Sequence, residues 1–67
     1  MGKDKHKAEG CNLYIRVKED GNRYIADFFT ADDMFVRAWA VSKHCTTLQG
    51  FLEACETVAI FVDTGKW

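Results

Sequence analysis

Three cysteines and two histidines are the side chains in this chain best suited to chemistry: Cys11, Cys45 and Cys55, with His6 and His44. Thiolate and imidazole are the usual zinc ligands, and a structural site collects four of them, commonly as closely spaced pairs. No CxxC occurs here, and adjacent His44 and Cys45 cannot easily turn both groups onto one ion. The spacing argues against a metal site, and no cofactor is expected. His44 and Cys45 are also the only thiol and imidazole close together in sequence, the minimum for an activated nucleophile. At a strand end, neighbouring residues point to opposite faces, which would arrange the pair poorly. The acid pairs have plainer explanations. Asp32 and Asp33 suit a turn or a helix start, and Glu53 and Glu56 suit the solvated side of a helix. No glycine-rich phosphate cradle is present, and a short chain has little room for a water-excluding cleft. An enzyme is not expected.

An odd number of cysteines does not suit the disulfide framework of a small secreted domain. Reduced, mostly buried thiols are expected, or one disulfide with one free thiol in an exported chain. No apolar stretch approaches the ~18–20 residues of a membrane span, and there is no signal-peptide pattern. The expected location is the cytoplasm, with no membrane partner. A formal net charge of −1 provides no global field to hold a polyanion. Residues 1–10, which contain Lys3, Lys5 and Lys7, read as a flexible basic tail. Residues 11–67 read as a single domain. A core of this size is marginal, and self-association is a common remedy.

The elements that must carry any site can be read from the periodicity. In NLYIRVKEDGNRYIADFF, residues 12–29, apolar Leu13, Ile15 and Val17 alternate with more polar neighbours. Within Asp20-Gly21-Asn22, either Asp20-Gly21 or Gly21-Asn22 can then form a two-residue hairpin loop, because Gly, Asn and Asp tolerate the positive φ such loops need. Leu13, Ile15 and Val17 would share a face with Tyr24, Ala26 and Phe28. The next run, 30–43, admits two readings. Thr30-Ala31-Asp32-Asp33 resembles a helix start, but Phe35, Val36, Trp39 and Val41 are strand-type residues. We expect a turn at 31–34 and a third strand over 35–43. Phe28 would then lie opposite Val36, Asp27 opposite Arg37, Ala26 opposite Ala38 and Tyr24 opposite Ala40. Ala26, Ala38 and Ala40 would form a shallow inner patch for a helix.

Thr46 with Gln49 has the spacing of a capping box. Leu48, Phe51, Leu52, Cys55 and Ala59 recur at helical period. Gly50 would either weaken the first turn or let the helix approach the alanine patch. The β-branched run 57–62 reads as a short fourth strand closed by Asp63-Thr64-Gly65, and continuation of the helix is the alternative. The expected fold is therefore α+β. A three-stranded antiparallel meander carries one helix on its inner face, with a short final strand (βββαβ); ββαα is the alternative.

That register turns Tyr14, Arg16, Lys18, Ile25, Asp27, Phe29, Phe35, Arg37, Trp39 and Val41 outward. So many aromatic and branched side chains on an open face mark an interface. Tyr14, Arg16, Phe29, Phe35, Arg37 and Trp39 are the expected contact residues, with aromatics for buried area and arginines for orientation. Coverage of that face by Trp67 or the tail is the structural alternative. The expected function is a small protein-binding module, a regulator or inhibitor that occupies a surface of another protein or of its own copy in a homodimer. One compact domain without chemistry of its own is a common format among phage and mobile-element regulators, an association only. The alternative is a nucleic-acid-binding sheet, with stacked bases on the aromatics and phosphates on Arg16, Lys18, Arg23 and Arg37.

Overall fold

The first hairpin closes around Gly21. In the computed structural model, which describes residues 5–67, Asp20 pairs with Arg23, leaving Gly21 and Asn22 as the loop. Gly21 has φ 62°, and Asn22 is not in the positive region. That is the type II′ pattern, whose twist matches the flanking strands. It joins β2 (Tyr14–Asp20) to β3 (Arg23–Phe29). Before them comes a two-residue strand, β1 (His6–Lys7), antiparallel to β2 at Ile15 and Tyr14. Part of the expected tail is therefore structured. Ala8 is buried, and its N–H donates to the Leu13 carbonyl at 2.9 Å. Gly10, at φ 84°, turns the chain so that Cys11 and Leu13 enter the core. Residues 1–4 lie outside the described part.

Residues 35–42 are a strand, β4 (Phe35–Ser42), not a helix. The sheet is antiparallel throughout, in the order β1-β2-β3-β4. The turn into β4 has three loop residues, Ala31, Asp32 and Asp33. The Asp33 N–H donates to the Thr30 carbonyl, and the Thr30 N–H donates to the Met34 carbonyl, both at 2.9 Å. Asp33 takes φ 69°, the left-handed residue that closes a three-residue hairpin loop. At the turn the expected register holds, with Phe29 opposite Phe35. One residue later it does not. Phe28 pairs with Arg37, Ala26 with Trp39 and Tyr24 with Val41, which leaves Val36 as an extra, bulged residue. A shift of one exchanges the two faces of everything beyond it. Arg37, Trp39 and Val41 thus join the inner face, while Ala38 and Ala40 go to the outer one. The expected inner alanine patch does not form.

The helix α1 spans Leu48–Asp63 and includes residues 57–62, where a final strand was expected. Phe51, Cys55 and Ala59 are its buried stripe, and Val58 and Val62 pack beside them. Burial along one face outweighs the β preference of single residues. Sixteen residues make a rod of about 24 Å, long enough to cross the sheet. The Asp63-Thr64-Gly65 signal is the helix's own stop: Gly65 sits at φ 76°. The Lys66 N–H reaches the Phe61 carbonyl at 2.9 Å, and the Gly65 N–H reaches that of Val62 at 3.2 Å, a Schellman cap. At the other end Thr47, not Thr46, is the N-cap, and its hydroxyl accepts from Gly50 N–H at 3.0 Å. Gln49 is then out of place for a capping box and binds Glu53 at 3.2 Å instead. Gly50 does not approach an alanine patch. A Cβ there would meet the Thr46 hydroxyl at 2.8 Å.

The core lies between α1 and the inner face of β2 and β3, where Ile15, Ala26, Phe28, Phe51, Cys55 and Ala59 are fully buried. Trp39 reaches it from β4, stacking on Phe51 at 5.1 Å and 13°. Trp67 closes on Trp39 edge to face at 6.0 Å, and Arg37 lies 5.9 Å over the Trp67 ring. The C-terminal tryptophan therefore covers the inner side of β4, the face opposite to the one considered from sequence.

Candidate protein-binding edge

Of the six expected contact residues, the structure brings Tyr14, Arg16, Phe29 and Phe35 to the outer face. It places Arg37 and Trp39 on the inner one. Trp39 is half-buried against Phe51, and Arg37 is engaged with Trp67. The physical cause is the bulge at Val36.

The outer face is less open than its composition suggests. Asp27 is only 6% exposed, and it takes Arg16 at 3.2 Å and Lys18 at 3.4 Å. Phe29 is 8% exposed although no helix covers it. Its ring lies under the Lys5 ammonium at 4.4 Å and the Arg16 guanidinium at 5.1 Å, with Phe35 edge-on at 5.8 Å. Long basic side chains can shield apolar surface with their stems while the charge stays near water. Arg16 Nε is buried there without a hydrogen-bond partner. Lys5 also pairs with Asp33. Beside that pair an open cleft of about 370 Å³ is lined by Lys5, Tyr14, Thr30, Ala31 and Asp33. Among the described residues, no thiol or imidazole borders it.

The thiols are dispersed. Cys11 and Cys55 are in the core and Cys45 is exposed. Burial pushes the Cys55 thiol up to about 12, with Glu56 adding to the rise, so it is no nucleophile near neutral pH. His44 and Cys45 lie in the turn after β4, held by Ser42. The Ser42 hydroxyl accepts from His44 N–H at 3.1 Å, and its carbonyl accepts from Cys45 N–H at 3.0 Å. Among the described residues, no three His, Cys, Asp or Glu side chains come together as a metal site. No described helix is long and apolar enough to cross a membrane. Glu56 is not a free acidic surface group. It accepts from Glu9 N–H at 2.8 Å and meets the His6 ring at 3.4 Å, fastening the N-terminal segment to α1.

What remains open is the edge of the sheet. At the β2 edge, β1 covers Tyr14 and Ile15. Among the described residues nothing pairs with the far edge of β4. Its direction of hydrogen bonding follows from its end. The Lys43 N–H donates to the Asn22 carbonyl of the neighbouring chain run at 2.7 Å. In an antiparallel ladder the direction alternates, so Val41 and Trp39 bond toward β3 while Ser42, Ala40 and Ala38 point outward. Phe35-Val36-Arg37-Ala38 are all exposed, and Arg37 is the single charge in the strand. Met34, Phe35 and Val36, exposed to 63%, 60% and 42%, form an apolar corner beside this edge. Natural edges are usually blunted by lysine, proline or cover. This one has a bulge at one end and bare backbone beyond it.

Sequence reasoning missed Met34, Val36, Ala38 and Ala40. The available signal was the last position of β4 in a meander, together with a run of eight residues bearing one charge. Comparison with protein-family models, curated proteins and solved structures finds no match to this chain.

Proposed function

We propose that this chain is a small non-enzymatic protein-binding module that acts as a regulator or inhibitor by occupying a partner's surface through β4. The single observation that carries this reading is the unpaired, nearly uncharged edge of Phe35–Ser42 with the exposed Met34-Phe35-Val36 corner at its start. Strand addition draws affinity from main-chain hydrogen bonds and specificity from flanking side chains. Ala38 and Ala40 would supply the first, and Met34, Phe35 and Val36 the second. α1 packs over β2 and β3 and meets β4 through Trp39, which leaves the outer edge of β4 accessible.

A photo-crosslinking residue at position 36, with one at Thr57 on the exposed side of α1 as control, tests this in the cell. Partner adducts are expected from position 36 alone, and Ala38→Pro should remove them. Equal adducts from both positions, or adducts indifferent to Ala38→Pro, would overturn the reading. Nucleic-acid binding has less support, because Arg16 and Lys18 are engaged with Asp27 and Lys5 with Asp33. Oligonucleotide affinity that falls steeply with salt would restore it.

A further inference from the structure

We infer that residues 5–9 form a strap that opens and closes as a unit and sets how much of Phe29 is added to the Met34-Phe35-Val36 corner. The inference adds regulation to the corner proposed above for binding, and it rests on that reading for what the enlarged surface does. Alternation sends the strap's side chains to both sides of the sheet edge. His6 lies opposite Ile15 and Lys7 opposite Tyr14, so His6 and Ala8 face α1 while Lys5 faces outward. The strap therefore holds the molecule from two sides. On the inner side one carboxylate does the fastening. Glu56 accepts from Glu9 N–H at 2.8 Å with one oxygen, and the His6 ring meets the other at 3.4 Å. On the outer side the Lys5 ammonium lies 4.4 Å over the Phe29 ring and pairs with Asp33. Between the two stand a pair of ladder partners and the 2.9 Å bond from Ala8 N–H to the Leu13 carbonyl. Ala8 is the one buried side chain of residues 5–10, and a single methyl group removes little apolar area from water. Exposed polar contacts of this kind contribute little each, which puts the strap at the low end of local stability. What lies beneath belongs to the core: Phe29 is 8% exposed, Cys11 9% and Leu13 5%. The chain turns back at Gly10, exposed and at φ 84°, which suits a hinge. Opening removes Lys5 from the Phe29 ring, which already meets Phe35 edge to face at 5.8 Å. The apolar corner then continues from Phe35 onto Phe29. Closing the strap returns it to its smaller form.

Alkylation of Cys11 in the full chain, in a Cys45→Ser background, reads the opening. Cys11 belongs to the same core cluster as Ala8, and its carbonyl takes the Lys7 ammonium at 2.8 Å. Cys55, buried on α1, is the internal control. Glu56→Ala should speed Cys11 labelling about tenfold, the scale of one charge-assisted hydrogen bond. Lys5→Ala, on the opposite side of the sheet, should speed it about threefold, the scale of an exposed ion pair. Cys55 should stay slow in both. Amide exchange of the wild type covers the case in which a variant unfolds. The Ala8 and Glu9 amides should exchange through one shared opening, well before the amide of Ala59. Cys11 labelled no faster than Cys55, or indifferent to either substitution, overturns the strap, as do Ala8 and Glu9 amides protected as well as that of Ala59. Crosslinking from position 36 separates this failure from that of the binding reading. Glu56 lies across the sheet from Phe29, so a higher adduct yield in Glu56→Ala is transmitted through the strap and is the expected result. Faster Cys11 labelling with an unchanged yield would overturn the regulation of the corner. Absence of adducts from every variant would remove the binding corner, while the labelling rates would still decide the strap.

Discussion

Cys45 and Cys55 carry the same thiol into two media. Cys45 is exposed in the turn after β4, while Cys55 is 1% exposed beneath the sheet, its thiol pushed up to about 12 by burial. Alkylation of the native protein near neutral pH should therefore modify Cys45 rapidly and Cys55 only after unfolding, read by mass spectrometry with and without denaturant. Rapid native labelling of Cys55 would mean that α1 opens far more often than its packing implies. Asp33 poses a backbone question. It holds φ 69°, a region that Asp enters more readily than most residues, and also pairs with Lys5. Asp33→Val should cost about 1–2 kcal/mol, because a β-branched residue resists the left-handed region. Asp33→Gly should change stability by no more than about 1 kcal/mol, since an exposed ion pair contributes little. Equal losses in urea unfolding would assign the effect to the ion pair instead.

The element that decides this molecule is the β3–β4 pair. Val36 is the one residue by which β4 exceeds its partner, and everything beyond it faces the other way because of it. Deleting Val36 should close the ladder without a bulge and leave Arg37 opposite Phe28 and Trp39 opposite Ala26, so Trp39 keeps its place on Phe51. Tryptophan fluorescence of the folded protein should therefore stay unshifted in the deletion variant. A red-shifted folded baseline would mean that the surplus residue itself holds the indole inward. α1 teaches a related lesson. Its second half has strand-forming residues, yet Cys55, Ala59 and Val62 continue the stripe begun at Phe51. A helix already capped by Thr47 extends more readily than a new strand starts.

At the scale of the whole molecule, stability and binding are carried by different residues. Phe51 is 1% exposed and touches Trp39 and Tyr24, the latter at 5.5 Å. Phe51→Ala should cost about 3–5 kcal/mol, most of what a domain of this size holds, on the order of 5 kcal/mol. Met34→Lys and Val36→Lys lie on the exposed corner and should move the unfolding midpoint by less than about 0.5 kcal/mol equivalent, while removing adducts. Paired denaturation and binding measurements would separate the two sets. Destabilisation by the corner variants comparable to Phe51→Ala would show that the corner belongs to the core and not to an interface.

The sequence by itself determined the hairpin over 12–29, its inner face and a helix after Thr46, and it favoured a third strand over a helix for 35–43; which residue pair forms the first loop stayed open. Side-chain alternation, turn glycines and capping threonines are local properties, readable without neighbours. Gly65 was legible as a stop but not as the stop of a helix, because the same residue ends either element. The tertiary structure decided which face Arg37 and Trp39 occupy and where residues 6–8 dock. It also decided which edge stays bare. Those outcomes turn on contacts between residues distant in the chain. An indole can reach Phe51 only if the strand accepts one surplus residue, and no period along a single strand records that exchange.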